Sequence, residues 1–176
     1  LIKKNNSKNY LHVELFGDCP LIDYRLIDQI IKIAKKNKKF DVISNAFETT
    51  FPPGQELIVF KSKSFLQLDK LLPNRKTIRE HGASNFIKFN KKFKILSIRA
   101  SKMHNFPSIY LELDTYDDLK LLKNIYLNFK KRFDFSLKDI LEYLLKNKRL
   151  YKENKNIFRR WKKHRKGFVA RYVKYI

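Results

Sequence analysis

Strand-like and helix-like segments alternate along this chain, and the alternation limits its fold more than any other feature. The apolar pattern of short strands occurs in residues 10–16, 40–45, 56–60, 93–99 and 109–113. Helical spacing of apolar residues separates several of these segments, most clearly in residues 25–36. Strands that alternate with helices are typical of layered α/β domains with a mostly parallel sheet. We therefore predict an α/β fold of this kind.

Three hydroxyl residues are placed to cap predicted helices. Ser62 directly precedes an apolar helical stripe. Thr115 is followed three residues later by Asp118, and Ser136 is followed in the same way by Asp139. A Ser or Thr with an acid three positions later is a sequence signature of a helix start. We therefore expect helices to begin at these three positions.

The length and composition indicate one folded domain without a membrane partner. With 176 residues, of which 43% are hydrophobic, the chain can bury one sizeable core. The single cysteine, Cys19, excludes an internal disulfide. No apolar run approaches the roughly 20 residues that a membrane-spanning helix needs. We expect a cytoplasmic protein.

The chain is strongly basic, and the charge is concentrated near its C-terminus. The formal net charge is +23, and residues 128–176 contain 17 basic and 4 acidic residues, which is a surplus of 13. Clustered Lys and Arg can bind phosphate backbones. Four aromatic residues lie among these cations, namely Phe158, Trp161, Phe168 and Tyr172. They either stack on bases or form one face of an amphipathic helix packed on the domain or on a second subunit, and we favour the helix. A solvated lysine-rich surface explains the charge most simply, so we expect nucleic-acid binding to be weak.

Two aspartates directly follow predicted strands. Asp18 lies in the turn GDCP after residues 10–16, where Gly17 is expected to allow a tight turn, and Asp114 follows residues 109–113. Ligands of α/β sheets gather beyond the carboxyl ends of the strands. Two carboxylates, together with water and substrate phosphates, suit Mg²⁺. Turn or helix capping is the commoner role of such aspartates, so the pattern allows both interpretations.

Several motifs, in this order and spacing, resemble the cytidylyltransferase family of sugar activation. They are GDCPLID, DVISN, FPPGQELIVF, REH, FKILSI, LDTYDDLKLLKNIY and FSLKDILEYLLKNKRLYKENKNI, and they extend from about residue 10 to about residue 157. Within the family, the chain is most similar to the spore-coat-polysaccharide type, which is related to acylneuraminate and deoxyoctulosonate cytidylyltransferases. The resemblance implies a Rossmann-like nucleotide-diphospho-sugar transferase fold with α/β/α layers. Residues 1–126 would form its nucleotidyltransferase domain, and residues 127–176 a basic helical extension packed on that domain.

The resemblance also implies a reaction and a set of site residues. A sugar hydroxyl would attack the α-phosphate of CTP, release pyrophosphate and leave a CMP-sugar for polysaccharide or glycoconjugate biosynthesis. Asp18 and Asp114 would be the catalytic pair that holds Mg²⁺ against the nucleotide phosphates. Substrate contacts would come from four other residues, namely Glu56, Arg79, Glu80 and His81. For His81, an interhelical polar contact is an equal alternative. A homodimer is also compatible with the resemblance.

The chain departs from the family pattern at several positions. In the family, a Gly-rich turn with Arg and Lys cradles the triphosphate upstream of the GDCP motif, and residues 1–9 contain no such turn. Glu14 and Tyr110 stand where relatives commonly carry Arg, and Ile58 replaces an acid. Because the sequence starts at Leu1 rather than Met, we expect an N-terminally truncated fragment. Because the triphosphate-cradling turn is absent, we expect this fragment to be inactive alone. The alternatives are a noncatalytic relative and a basic nucleic-acid-binding protein.

Overall fold

Five strands and seven α-helices are present in the part of the chain that the computed structural model describes, namely residues 10–130, 132, 134–152, 154–159 and 161–176. Their order is β1 (Leu11–Leu15), α1 (Tyr24–Lys36), β2 (Val42–Ser44), β3 (Leu57–Lys61), α2 (Ser62–Leu71), α3 (Lys76–Arg79), β4 (Ile95–Arg99), α4 (Tyr116–Asn128), α5 (Leu137–Lys146), α6 (Arg149–Lys152), α7 (Trp161–Arg165) and β5 (Tyr172–Tyr175). Two 3₁₀ helices, Gly82–Phe89 and Asn154–Asn156, lie before β4 and α7. None of the described helices has the length and apolar character needed to cross a bilayer.

The strands form one sheet in the order β1-β3-β2-β4-β5. β3 is antiparallel to both β1 and β2, whereas β2, β4 and β5 are parallel to one another. The α/β fold class is therefore confirmed, but the expected parallel pairing holds only for the β2-β4-β5 side of the sheet. The connection from β2 to β3 carries no helix and turns back at the Pro-Pro-Gly sequence, so β3 pairs antiparallel to β2.

The core occupies both faces of the sheet, which gives the expected α/β/α layers. One apolar cluster joins α1, α4 and α5 to the face that carries Ile43 and Val59. A second cluster joins α2 and the 3₁₀ helix Gly82–Phe89 to the face that carries Val42 and Ile58. Neighbouring strand residues point to opposite faces, so two buried faces produce continuous apolar runs. Ile58, which replaces an acid of the family pattern, is fully buried in this second cluster.

Residues 109–113, which the sequence predicts as a strand, are buried but lie outside the sheet. Ile109, Tyr110 and Leu111 are at most 5% exposed. The Leu111 N–H donates to the carbonyl of Pro53 at 2.6 Å, and the Leu113 N–H donates to the carbonyl of Asp18 at 2.8 Å. Bonds to two separate turns thus replace a strand ladder. The apolar pattern of residues 109–113 therefore predicts their burial correctly, but its prediction that they pair as a strand in the sheet is wrong.

The C-terminal end supplies an edge strand that the sequence pattern did not reveal. β5 pairs with β4, with Tyr172 opposite Leu96 and Tyr175 opposite Arg99. The expected amphipathic helix through the tail aromatics is therefore wrong, because Tyr172 lies in β5 and, of those four aromatics, only Trp161 lies in a helix. The predicted extension, residues 127–176, starts inside α4 and combines α5, α6 and α7 with this strand.

Two of the three predicted helix caps are present. Thr115 accepts the Asp118 N–H while the Asp118 carboxylate accepts the Thr115 N–H, and Ser136 forms the same reciprocal pair with Asp139. Ser62 differs, because it is the first residue of α2 rather than its cap. Its hydroxyl instead lies 2.7 Å from Nε2 of His12 on β1.

Candidate active site

The GDCP turn places the Asp18 side chain in solvent at the end of β1. The Cys19 N–H donates to the carbonyl of Phe16 at 3.2 Å and closes the turn. The Cys19 side chain is buried, and its Sγ lies 3.4 Å from Oδ1 of Asp18. Burial, together with the negative charge of Asp18, raises the pKa of the Cys19 thiol well above its usual range. The thiol therefore stays protonated and donates to the carboxylate.

The turn does not depend on glycine as the sequence suggested. Gly17 does not have a positive φ, and a Cβ placed on it would meet nothing within 4 Å. The prediction that the tight turn needs the conformational freedom of Gly17 is therefore wrong, because an ordinary residue can adopt the same backbone conformation there. The turn is closed by the hydrogen bond from the Cys19 N–H to the Phe16 carbonyl.

A backbone hydrogen bond brings the two predicted metal ligands to the same edge of the fold. The Leu113 N–H donates to the carbonyl of Asp18 at 2.8 Å, and Asp114 is the next residue. The Asp114 side chain is 42% exposed. The two segments that carry these aspartates therefore meet here, and both aspartates are exposed to solvent, although residues 109–113 are not a strand. We refer to this region of Asp18 and Asp114 as the acidic edge.

Gly54 allows the Pro-Pro-Gly turn to approach the segment that carries the acidic edge. Its φ is +99°, and a Cβ would lie 2.3 Å from the carbonyl carbon of Leu111. The same approach produces the hydrogen bond between Leu111 and Pro53. A side chain at this position would push the 110–112 backbone away, and Asp114 would move with it.

Asp118 fixes the backbone of Asp114 from inside the first turn of α4. It is 1% exposed, and its Oδ2 accepts the N–H groups of Asp114 at 3.1 Å and Thr115 at 2.9 Å. Its Oδ1 accepts from Nδ2 of Asn154 at 3.1 Å. Burial alone would raise the pKa of Asp118, but hydrogen bonds from Arg159, Thr115 and Asn154 outweigh burial and lower it. The sequence pattern indicated the capping role of Asp118 and missed this positioning role.

Arg159 lies between α6 and α7, buried among three acids. Its side chain is 0% exposed, and its guanidinium reaches Asp118 Oδ1 at 2.5 Å, Asp114 Oδ2 at 3.1 Å and Glu112 Oε1 at 3.3 Å. A buried guanidinium is tolerated only when it is paired, and these acids supply the pairing. Sequence reasoning missed Arg159. The cation-rich sequence FRRWKKHRK was its only signal.

The helix that follows Arg159 covers further predicted site residues. Arg165 of α7 pairs with Oε1 of Glu56 at 2.5 Å, and Glu56 itself is 4% exposed. The ring of His164 lies 4.5 Å, centroid to centroid, from the ring of His81. Burial lowers the pKa of His164, and the nearby cation Lys88 acts in the same direction. The C-terminal segment thus contacts Glu56 and His81 as well as Asp114.

Glu112 is a buried acid beneath this segment. It is 3% exposed and accepts a hydrogen bond from Nε1 of Trp161 at 2.9 Å. Burial raises the pKa of Glu112 to about 7, although the Trp161 hydrogen bond acts in the opposite direction. Glu112 therefore titrates near neutrality, unlike Asp118.

Two predicted substrate-binding residues lie apart from the acidic edge. Arg79 pairs with Asp69 at the end of α2 and approaches the carbonyl of Leu72. Within the described ranges, neither Arg79 nor Glu80 forms a hydrogen bond or ion pair with the acids at the acidic edge. Contacts therefore link Glu56, His81, Asp18 and Asp114 into one region, and those contacts include neither Arg79 nor Glu80 among the described residues.

Two departures from the family pattern have local explanations. Glu14 accepts the Ala83 N–H at 3.1 Å and so provides a hydrogen-bond acceptor for a backbone N–H at the start of the 3₁₀ helix Gly82–Phe89. The hydroxyl of Tyr110 accepts from Nζ of Lys162 at 2.6 Å, and the Arg159 guanidinium lies over the Tyr110 ring at 4.9 Å. The C-terminal segment therefore supplies positive charge at Tyr110, where the resemblance implies an Arg.

A solved structure from Leptospira borgpetersenii serovar Hardjo-bovis, described as a cytidylyltransferase, is similar to this chain. The TM-score is 0.75 and the sequence identity is 25%, with 89% of this chain and 63% of that chain covered. The fold is that of a cytidylyltransferase. This chain thus spans less than two thirds of the solved relative. No family model and no curated protein matches the sequence.

Asp18 and Asp114 at the acidic edge carry the type of ligand atom that a divalent cation takes in proteins. Among the described residues, no three His, Cys, Asp or Glu side chains are grouped as a metal site. Asp18 is exposed, and Asp114 uses only Oδ2 in its contact with Arg159. Mg²⁺ commonly takes one or two carboxylates and completes its shell with water and substrate phosphates. The two aspartates fit such a shared ion and not an all-protein cage.

Proposed function

We propose that the protein is a nucleotidyltransferase of polysaccharide or glycoconjugate biosynthesis that forms a CMP-sugar from CTP and a sugar. The cytidylyltransferase fold supports the reaction class. The hydrogen bond between Leu113 and Asp18 carries the proposal, because it brings two acids to one exposed edge of that fold. The spore-coat-polysaccharide type is the finer form of the same proposal.

The proposed reaction needs positioning and charge neutralisation more than a protein nucleophile. The sugar hydroxyl oxygen bonds to the α-phosphorus of CTP, the bond from that phosphorus to pyrophosphate breaks, and the hydroxyl proton passes to solvent. This chemistry does not need Cys19 as a nucleophile. Its thiol is buried, stays protonated and donates to Asp18. Asp18 and Asp114 would hold Mg²⁺, which neutralises phosphate charge when bound.

The remaining residues of the proposed site either hold the Asp114 segment in position or would bind the substrate. Asp118 and Gly54 hold the Asp114 segment in place. Glu56 and His81 would contact the sugar together with α7, because that helix already lies against both side chains. For Arg79 and Glu80 the proposed substrate contact requires a ligand that extends beyond the acidic edge.

The test measures metal and nucleotide binding by the purified 176-residue chain. We expect CTP to strengthen Mn²⁺ binding more than ATP, GTP or UTP does. Electron paramagnetic resonance measures the binding of Mn²⁺. Asp18→Asn and Asp114→Asn should each weaken Mn²⁺ binding in the presence of CTP by about 10-fold or more. Asp117→Asn is the matched control, because Asp117 is a partly exposed acid in the first turn of α4, three residues after Asp114, and pairs with Lys120. Equal losses in all three variants would contradict the shared site.

A noncatalytic relative is the second candidate, and one observation favours it. The Arg159 guanidinium already places a positive charge 3.1 Å from Asp114 Oδ2. Such a protein would bind CTP without releasing pyrophosphate. Pyrophosphate release from CTP, measured with a panel of sugars, separates the two functions.

A further inference from the structure

A cavity of about 210 Å³ lies between the loop before β4 and the segment that leads into β5. Four of its ten lining residues are cationic, namely Lys91, Lys92, Lys94 and Arg171, and none is acidic. The cavity shares no lining residue with the acidic edge. Three of its cations come from the local run at residues 91–94, and the fold adds Arg171 from a distant part of the chain.

The four cationic side chains have no acidic partner in the part of the chain that the structure describes. Asp41 is bonded to the same loop, but both of its oxygens are engaged. The Ser64 hydroxyl donates to Oδ1 at 2.8 Å, and the backbone N–H of Lys94 donates to Oδ2 at 2.8 Å. Four like charges around one cavity repel one another, and an anion bound among them would relieve that repulsion.

The walls of the cavity are held by core contacts. Phe93 and Ile95 are buried beneath it. Phe168 packs edge-on against Phe47 with ring centroids 5.7 Å apart. Tyr172 packs in the same manner against Phe40 at 5.3 Å. The aromatic side chains are therefore fixed in place, while the four cations remain exposed at the cavity.

We propose that this cavity binds the phosphate groups of a small phosphorylated ligand, with inorganic pyrophosphate as its simplest form. Lys and Arg are the usual phosphate partners, and Arg can bind two phosphate oxygens at once. A volume of about 210 Å³ suits a phosphate group or a compact phosphorylated molecule rather than a long polymer. The ligand would bridge the body of the domain to the C-terminal segment and reinforce the pairing of β4 with β5.

Calorimetric titration of the purified chain with pyrophosphate, at physiological salt and with EDTA, tests the proposal. EDTA removes divalent metal, so the result does not depend on the acidic edge or on the proposed function. Lys92→Gln/Arg171→Gln should lower the affinity about 10-fold or more. Lys32→Gln/Lys102→Gln removes the same two charges elsewhere on the surface and should have little effect. Hydrogen exchange of the β5 amides should slow when pyrophosphate binds the wild-type chain.

Three results would overturn the proposal. The first is an absence of pyrophosphate binding by the folded wild-type chain. The second is an equal loss of affinity in both double variants, which would indicate diffuse attraction by the net charge. The third is stronger binding of single-stranded DNA that displaces pyrophosphate at physiological salt, which would assign the surface to nucleic acid. If the double variant does not fold, Arg171→Gln alone replaces it, with Lys102→Gln as its control.

Discussion

Arg159 Nη2 lies 2.5 Å from Asp118 Oδ1, and this ion pair anchors the C-terminal segment to the first turn of α4. The same carboxylate accepts the Asp114 N–H through its other oxygen at 3.1 Å. One buried acid therefore connects the basic segment to the acidic edge. A change at either partner should affect both the folding of the C-terminal segment and the position of Asp114.

Asp118→Asn should destabilise the protein by about 3–5 kcal/mol, because it leaves the buried Arg159 guanidinium without its best-placed counter-charge. Urea unfolding followed by circular dichroism measures the change. Asp117→Asn, one residue earlier and only partly buried, should change the free energy of unfolding by no more than about 0.5 kcal/mol. Similar values for the two variants would show that the buried pair contributes little.

Acidification should weaken the docking of α7 through His164. Burial lowers the pKa of His164 below its usual value of about 6.5, and the cations Lys88 and Arg165 add to this effect. The unfolded state therefore binds the proton more readily, and the stability that this histidine contributes is complete above about pH 6.5 and declines as the pH falls. The unfolding free energy of the wild type should decrease between pH 7.5 and pH 5.5 by more than that of His164→Gln. Parallel pH profiles for the two proteins would contradict this prediction.

Gly54→Ala should destabilise the protein by more than about 1 kcal/mol, since the new Cβ would lie 2.3 Å from the Leu111 backbone at a positive φ. Thermal unfolding measures the effect. Gly17→Ala is the matched control because its Cβ would meet nothing within 4 Å, and it should be neutral or slightly stabilising. A larger loss of stability in Gly17→Ala than in Gly54→Ala would contradict our explanation of the two turns.

Arg159→Met should shift the emission of Trp161, the single tryptophan, to longer wavelength. The substitution leaves Glu112, Asp114 and Asp118 without their shared cation, so the segment that carries Trp161 should detach from Glu112 and enter water. Lys163→Met is the control, since Lys163 is exposed and lies over the ring of Phe158. An unchanged emission maximum in Arg159→Met would mean that other contacts hold the segment.

Local patterns predicted the features that depend on neighbouring residues. Apolar spacing located α1, and the reciprocal caps at Thr115 and Ser136 were readable because each partner is three residues away. The resemblance placed Asp18 and Asp114 in one region, and the fold brings their segments together. Their roles as metal ligands remain a prediction.

The tertiary structure alone decided the features that join distant residues. Apolar periodicity reports burial but not the partner of a strand, so it predicts a strand at residues 109–113 where none forms and does not reveal β5. The pairing of Arg159 with Asp118 spans 41 residues, and no local spacing distinguishes this arginine from the other cations of the C-terminal segment. The sequence determined where the chain is buried, where two of its helices are capped and how strongly it is charged. Only the fold selected which of the many cations enters the core, because that choice depends on the acids that meet it there.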